Sequence, residues 1–309
     1  MTITYKTIAI IDIGTNSVKF CIAEHTNGKI NTLLDTYYPT RIGEGFQTTG
    51  MISSSAMTRN LETIKKLCRQ ARELNVSKIF AIGTKIFRTA TNADCFIQKV
   101  KSSCGVNIQV LSGVDEARLS YLGAVSDIQA KDNNFAVLDT GGGSSELTFG
   151  NDHNIYKRFS FDIGAVTLTE SYLTEDPVKT EQLEQVVEHI RQIIQLDCCG
   201  QPIDHLIGSS GVVTTMAAVK FQMTVYNAAI IHGAVLTLAQ VHDQIKMYAS
   251  KTIDQRMKIP GLQKGREDII LAGACIVEFV MLQLKCHQLI VSDRGLRHGF
   301  MAAELIPPL

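Results

Sequence analysis

Two short stretches of this chain repeat one pattern of residue types. AIIDIGTNSVKF (residues 9–20) and AVLDTGGGSSELTF (residues 136–149) each place an aspartate after an apolar run, a glycine two positions later and a serine five positions later. Glycine lets backbone N–H groups approach an anion without a Cβ in the way, and a serine hydroxyl can donate to a phosphate oxygen. The repeat therefore predicts a duplicated unit whose two turns hold one phosphate chain from both sides.

Acidic residues beside the two turns could hold a metal ion. Asp12 and Asp139 end the apolar runs, and a carboxylate in this place can bind hydrated Mg²⁺. Seven residues after the aspartate, the first copy has Lys19 whereas the second has Glu146. Glu146 is thus a possible metal partner of Asp139, and the alternative is a surface residue on a half-exposed strand.

A third pair of acids begins a predicted helix in SGVDEARLSYLG (residues 112–123). Asp115 and Glu116 could simply complement the positive end of the helix dipole. A phosphatase, however, needs one carboxylate that is not a metal ligand, which accepts a proton from the water that attacks phosphorus. A glutamate, with an ordinary pKa of about 4.3, is ionised at neutral pH and suits that role.

Three further stretches could contact phosphate. GSSGVVTT (208–215) joins a strand end to a helix start, where N–H groups and the helix dipole favour an anion. SDRGLRHG (292–299) and GTKIFRTATNAD (83–94) offer arginines, which bind phosphate through two parallel hydrogen bonds. A plain helix cap and structural Asp–Arg pairs are the alternatives.

The elements that must position these residues alternate between strand and helix, which predicts an α/β fold. Apolar runs predict short strands, and apolar residues at helical spacing predict helices between them. The predicted strands cover 6–12, 18–24, 78–84, 108–112, 135–139, 145–150, 205–209 and 289–293. The predicted helices cover 53–74, 115–128, 177–197, 211–220, 234–248, 267–284 and the C-terminal LRHGFMAAELI.

Composition narrows the class of protein. A length of 309 residues allows two domains, and 45% hydrophobic with 19% charged residues indicates a globular core. Thirty basic residues balance thirty acidic ones, which argues against general nucleic-acid binding. No apolar run approaches the roughly 20 residues of a membrane span, and the N-terminus does not resemble a signal peptide. The eight cysteines form no C-x-x-C pair, so we expect reduced thiols in a cytoplasmic protein.

Taken together, the motifs resemble the exopolyphosphatase/guanosine pentaphosphate phosphatase family, Ppx/GppA. The resemblance implies an α/β fold of duplicated actin-like ATPase (ribonuclease H-like) domains with an interdomain cleft. It implies one domain of residues 1–119 plus 296–309 and a second of residues 120–295. The matching stretches, in the family's order and spanning almost the whole chain, are IDIGTNSVKF, TRIGEGFQTTG, GTKIFRTATNAD, SGVDEARLSYLGA, LDTGGGSSEL, GAVTLTE, GSSG, IHGAVLTL and SDRGLRHGF.

The resemblance also implies a role for each matching residue. Glu116 corresponds to the catalytic base and Arg88 to a phosphate-binding arginine. Asp139 and Glu146, with Asp12, would lie near a Mg²⁺ or Mn²⁺ ion. The residues that would bind substrate phosphate are Gly14, Thr15, Asn16, Ser17, Gly141, Gly142, Gly143, Ser144, Ser210 and Gly211.

The chain departs from the family pattern at a few positions. Val212 stands where the family's glycine turn has Thr, so one hydroxyl is missing unless Thr214 or Thr215 replaces it. His298 stands where an acid is common, and Asp115 where a second Glu is common. The helical C-terminal domains of long family members, which help to hold long polyphosphate, are absent from this sequence. The resemblance therefore does not imply processive hydrolysis of long chains.

The expected activity is release of terminal orthophosphate from linear polyphosphate, with metal-dependent hydrolysis and Glu116 activating water. The alternatives are hydrolysis of guanosine pentaphosphate (pppGpp), an actin-like sugar kinase or ATPase, and a sensor that binds the alarmone or polyphosphate without turnover. A kinase would need an adenosine pocket, and a sensor would not need Glu116. The family resemblance also allows a homodimer.

Overall fold

Strands and helices alternate along the chain and build two β-sheets covered by helices. The structure, a computed structural model, describes residues 6–26, 29–126, 133–151, 154–196 and 202–305. Its strands are β1 (Thr7–Ile13), β2 (Val18–Thr26), β3 (Lys29–Tyr38), β4 (Lys78–Gly83), β5 (Ile108–Val110), β6 (Asn134–Thr140), β7 (Ser145–Asn151), β8 (Asn154–Phe161), β9 (His205–Gly208), β10 (Val235–Thr237) and β11 (Gln288–Val291).

The helices differ widely in length, from single turns to the 20 residues of α2. They are α1 (Phe46–Thr49), α2 (Ser54–Glu73), α3 (Lys85–Thr89), α4 (Ala93–Cys104), α5 (Gly113–Val125), α6 (Ala165–Tyr172), α7 (Thr180–Ile193), α8 (Gly211–Lys220), α9 (Ala228–Ile231), α10 (Leu238–Ala249), α11 (Ile253–Arg256), α12 (Ile270–Gln283) and α13 (Leu296–Leu305). Among the described helices, none is both long enough and apolar enough to cross a membrane.

The two sheets share one topology. The first has the order β3-β2-β1-β4-β5, and the second, read from its other edge, has β8-β7-β6-β9-β11 with β10 added at the end. In both sheets a three-stranded antiparallel meander continues into parallel strands. The duplication predicted from the repeated motif is therefore confirmed by the fold.

The two motif hairpins also share their register. Asp12 pairs with Lys19 across β1 and β2, and Asp139 pairs with Glu146 across β6 and β7. The register of a strand pair decides on which face of the sheet each side chain lies. Equivalent residues of the two copies therefore lie on equivalent faces of their sheets. The difference between Lys19 and Glu146 is thus a real difference between the two halves of the site.

Helix α5 lies between the two sheets. Its Leu119 packs with Ile8 and Ile10 of the first sheet, whereas Tyr121 packs with Phe135 on the second. Helix α13 packs against α5 and adds Phe300 to the same core. A helix held by both cores places its first turn, and therefore Glu116, at the junction of the two sheets.

The contact between α5 and α13 depends on two glycines. A Cβ at Gly123 would lie 2.2 Å from the Gly295 carbonyl oxygen, and a Cβ at Gly299 would lie 1.9 Å from the Leu119 oxygen. Only glycine permits this backbone approach. The close crossing fixes the position of α5 relative to the C-terminal helix.

Most predicted elements are confirmed with boundaries shifted by a few residues, but one prediction is partly wrong. Residues 234–248, expected to be a single helix, begin with strand β10 before α10. The capping threonine explains the break, because Thr237 accepts from the Gln240 N–H and starts the helix there. The proposed domain boundary after residue 119 stays a prediction, and it falls inside α5.

Candidate active site

The repeated turns face each other across one cleft at the ends of the two sheets. A Cβ on Gly143 would lie 2.8 Å from the Thr15 hydroxyl oxygen, and one on Gly142 would lie 3.2 Å from the Asn16 nitrogen. The turns therefore nearly touch. The predicted residues that line the cleft are Asp12, Gly14, Thr15, Asn16, Ser17, Glu116, Asp139, Gly141, Gly142, Gly143, Ser144, Glu146 and Gly211.

The carbonyl groups of the first turn point away from the cleft. The Thr15 oxygen accepts from Gly43 N at 2.9 Å, and the Asn16 oxygen accepts from Arg41 N at 2.8 Å. Both donors belong to the segment that follows β3. Since the C=O and N–H of one trans peptide unit point in opposite directions, this support leaves N–H groups for an anion in the cleft.

The second turn is supported in the same way. The N-terminus of α6 donates to it, from Ala165 N to the Gly141 oxygen at 2.9 Å and from Val166 N to the Gly142 oxygen at 2.8 Å. Lys85 Nζ donates to the Gly143 oxygen at 2.8 Å. Both turns are therefore held in place by hydrogen bonds to their carbonyl groups.

Glu116 lies in the first turn of α5, with only 7% of its surface exposed. Arg88 Nη1 donates to its Oε2 at 2.9 Å and to the Leu111 oxygen at 2.7 Å. Burial raises the pKa of Glu116 to about 7, and the hydrogen bond and charge of Arg88 act in the opposite direction. Glu116 is thus a carboxylate that can change its protonation state near neutral pH.

Two charged neighbours of Glu116, Arg88 and Asp115, do not line the cleft. Arg88 lies behind Glu116 and is not among the described residues that line the cleft. Asp115 is exposed, and its Oδ2 accepts from the Ser112 hydroxyl at 2.7 Å as part of the cap of α5. Of the two adjacent acids, only Glu116 faces the cleft.

Of the other cleft acids, Asp12 and Glu146 are buried and Asp139 is half-buried. Asp12 and Glu146 are each 3% exposed, and Asp139 accepts from the Ser120 hydroxyl at 2.6 Å. Burial raises the pKa of all three side chains, and repulsion from Glu116 and Asp139 raises the pKa of Glu146 further. Lys19 offsets part of this charge from 3.9 Å away from Asp12.

This acidic donor set fits a divalent cation held partly through water. Among the described residues, no three His, Cys, Asp or Glu side chains lie close enough to hold a metal ion directly. Mg²⁺ typically keeps several waters and uses one or two carboxylates. Buried carboxylates that repel one another gain from a cation, so Asp12, Asp139 and Glu146 are suited to hydrated Mg²⁺ or Mn²⁺.

The third glycine turn begins α8. The Ser210 hydroxyl caps the helix by accepting from Val213 N at 3.1 Å. Thr214 and Thr215 donate to the Ser210 and Gly211 carbonyls of their own helix, at 3.0 and 2.7 Å. Neither threonine therefore has its hydroxyl proton free to replace the donor that Val212 lacks.

His298 is half-buried and does not line the cleft. Its Nδ1 accepts from Gly295 N at 3.4 Å, and its Nε2 lies 3.8 Å from Asp35. Burial and the nearby Arg297 lower the pKa of His298 well below its ordinary value, so it is neutral. Arg297 forms the ion pair with Asp35, at 2.6 Å.

Two basic residues of the site escaped the sequence analysis. Arg266 is buried against Gly211, where a Cβ would lie 2.0 Å from its Nη2, and it lines the cleft. Lys85 supports the second turn from the opposite sheet. Lys85 stood within a quoted motif, but a lone lysine or arginine gives no signal of where its side chain reaches.

Neutralising one cleft acid is expected to stabilise the metal-free protein. The raised pKa of Glu146 means that its charged form destabilises the fold, so stability present at acidic pH is lost as pH rises toward the folded-state pKa. In EDTA at pH 8, Glu146→Gln should raise Tm by roughly 2–4 °C, the shift expected for about 1 kcal/mol in a large domain. At pH 5 the gain should shrink.

Thermal unfolding of both proteins at the two pH values checks this prediction. Glu184→Gln is the matched control, since Glu184 is an exposed glutamate on α7. A lower Tm for Glu146→Gln at pH 8, with the control unchanged, would contradict the account of charge repulsion in the cleft.

The duplicated sheets, with an acid-lined cleft between their turns, define an actin-like α/β protein. The model of the Ppx/GppA phosphatase family matches residues 21–306. The chain belongs to the Ppx/GppA phosphatase family. It is therefore an enzyme, a phosphatase-type hydrolase.

Similar proteins cover nearly the whole chain. Exopolyphosphatase 2 of Mycobacterium tuberculosis is 29% identical over 308 residues, which cover 94% of this chain and 96% of that protein. The crystal structure of the Aquifex aeolicus member of the family has a TM-score of 0.81 at 28% identity and covers 98% of both chains. An exopolyphosphatase from Cytophaga hutchinsonii has a TM-score of 0.89 at 25% identity and covers 97% of both chains.

Proposed function

We propose that the protein is an exopolyphosphatase that releases terminal orthophosphate from linear polyphosphate by metal-dependent hydrolysis. The observation that carries this proposal is the position of Glu116, a buried carboxylate at the cleft that both phosphate-binding turns line. The similarity to exopolyphosphatase 2 of Mycobacterium tuberculosis supports the choice of polyphosphate. The cysteine pattern of the sequence supports a cytoplasmic location.

In the proposed mechanism, the chain's own residues position the substrate and move one proton. Backbone N–H groups of the two turns hold the terminal phosphates, and the start of α8 at Ser210 and Gly211 takes the next ones. Glu116 accepts a proton from a water molecule while the oxygen of that water attacks the terminal phosphorus. The bridging P–O bond breaks, and orthophosphate and the shortened chain leave.

The remaining groups act through charge. A Mg²⁺ or Mn²⁺ ion would be held by Asp12, Asp139 and Glu146. When bound, it would neutralise negative charge on the phosphate oxygens. Arg88 holds the Glu116 carboxylate in place through its 2.9 Å hydrogen bond. Positioning and charge neutralisation are the main demands of phosphoryl transfer.

A second candidate substrate is guanosine pentaphosphate. A pocket of about 1040 Å³ continues from the cleft past Gly211 and Arg266. Its wall includes apolar side chains such as Met223 and Ile259 beside Lys258. A mixed apolar and basic pocket beyond the phosphate site suits an organic group attached to a phosphate chain.

Phosphate release from four substrates tests the proposal. Long polyphosphate, tripolyphosphate, guanosine pentaphosphate and ATP are each incubated with Mg²⁺ and with EDTA. We expect metal-dependent release that is fastest from polyphosphate, whereas preference for guanosine pentaphosphate would favour the second candidate. If polyphosphate still binds in EDTA but no substrate releases phosphate, the phosphatase proposal fails and the protein is a sensor that binds without turnover.

A further inference from the structure

Lys85 is a largely enclosed lysine that lies between the two β-sheets. It is the first residue of α3 and directly follows Thr84, which lines the cleft. Its side chain is only 11% exposed, and Nζ donates to the Gly143 oxygen at 2.8 Å. Its ion-pair partner, Asp162 at 3.1 Å, has a side chain that is 84% exposed. The enclosed contact is therefore the one with the turn.

This contact joins the two sheets, unlike the backbone hydrogen bonds that support the turns. The donors to Thr15 and Asn16 follow β3 in the first sheet, and α6, which supports Gly141 and Gly142, follows β8 in the second. Each of those contacts stays within one half of the molecule. Lys85 follows β4 of the first sheet but supports a turn of the second.

The geometry of the peptide unit gives this contact a consequence in the cleft. The Gly143 carbonyl and the Ser144 N–H belong to one planar trans peptide, in which the C=O and N–H bonds point in opposite directions. Gly143 and Ser144 line the cleft, whereas Lys85 does not. By holding the carbonyl from behind, Lys85 turns the Ser144 N–H toward the place of the substrate.

Gly143 itself cannot hold the peptide in this orientation. Gly143 has no side chain, and a Cβ there would lie 2.8 Å from the Thr15 hydroxyl oxygen, so a larger residue does not fit. A glycine peptide is intrinsically mobile. An external donor is therefore needed to keep the N–H aimed at an anion.

We propose that Lys85 is a positioning residue for phosphoryl transfer, which couples closure of the two sheets to the orientation of the second phosphate-binding turn. When the turns meet, the Lys85 ammonium reaches the Gly143 carbonyl and the Ser144 N–H is aimed at the transferred phosphate. When they separate, the carbonyl loses its donor and the turn relaxes. This inference rests on the proposed phosphohydrolase function.

Kinetics of three variants on tripolyphosphate test the proposal. Lys85→Met keeps most of the length of the side chain but removes the donor, and we expect kcat to fall by about 10- to 100-fold, with KM changed less than about 3-fold. Lys85→Arg keeps a cationic donor and should recover most of kcat. Asp162→Asn should stay within about 2-fold, because its carboxylate is exposed to solvent.

Hydrogen exchange supplies a readout that does not depend on turnover. In the ligand-free protein, amides of residues 141–146 should exchange faster in Lys85→Met, while amides of residues 12–19 should be unchanged. Native kcat with native exchange in Lys85→Met overturns the proposal, and so does an equal loss of kcat in Asp162→Asn. If the native protein hydrolyses no substrate, the proposed function fails, but exchange at 141–146 still reports whether Lys85 holds the turn.

Discussion

Glu116→Gln is expected to lower kcat for phosphate release by about 10²–10⁴-fold, the usual effect of removing a general base. Gln has the same shape as Glu and can still accept the hydrogen bond from Arg88. It cannot take a proton from water. The substitution also removes a negative charge from the cleft, so KM for a polyanion should stay the same or fall.

The matched control is Asp115→Asn. Asp115 is the neighbouring acid, but it is exposed and bonded to the Ser112 hydroxyl. We expect its kcat to stay within about 2-fold of the native value. Steady-state rates with tripolyphosphate and Mg²⁺, together with Tm for both variants, complete the comparison. Turnover by Glu116→Gln at the native rate would assign the proton transfer to another residue, with Glu146 the next candidate in the cleft.

The residues that line the cleft could be predicted because their signal is local. Each motif hairpin shows an apolar run, an aspartate and small residues within about a dozen positions, and the structure brings both hairpins to one cleft. The identical pairing of Asp12 with Lys19 and of Asp139 with Glu146 follows from the same spacing. Local patterns therefore predicted which residues meet, although their roles stay predictions.

The support behind the turns could not be predicted. Arg41, Gly43, Ala165 and Val166 act through backbone N–H groups, which every residue except proline possesses. Their residue types therefore carry no sign of the contact. The edge strands β3 (KINTLLDTYY) and β8 (NIYKRFSF) were missed because both mix polar and apolar residues without a continuous apolar run or a strict alternation.

Arg88 illustrates how position changes the meaning of a motif. Its type and the family resemblance predicted a contact with phosphate, because arginine binds phosphate well. The structure shows its Nη1 donating to Glu116 and to the Leu111 carbonyl, and a contact with phosphate stays a prediction. The two roles predict different kinetics, so a single substitution can separate them.

Arg88→Met is expected to lower kcat by about 100-fold, the cost of misplacing a reacting group by about 1 Å, with little change in KM. The pH profile should also move. Burial raises the pKa of Glu116 to about 7, and the hydrogen bond and charge of Arg88 lower it. Without Arg88 the pKa of Glu116 rises further, so the pH below which the base is protonated and activity falls should shift upward.

Rates measured from pH 5.5 to 9 with saturating tripolyphosphate check both expectations. Arg191→Met is the control for loss of an arginine, because Arg191 is exposed on α7 and pairs with Glu188 of the same helix. A rise in KM with native kcat and an unmoved pH profile would show that Arg88 binds substrate directly. A fall in kcat with an upward shift of the profile follows only if Arg88 acts through Glu116, since loss of a phosphate contact leaves the protonation of the base unchanged.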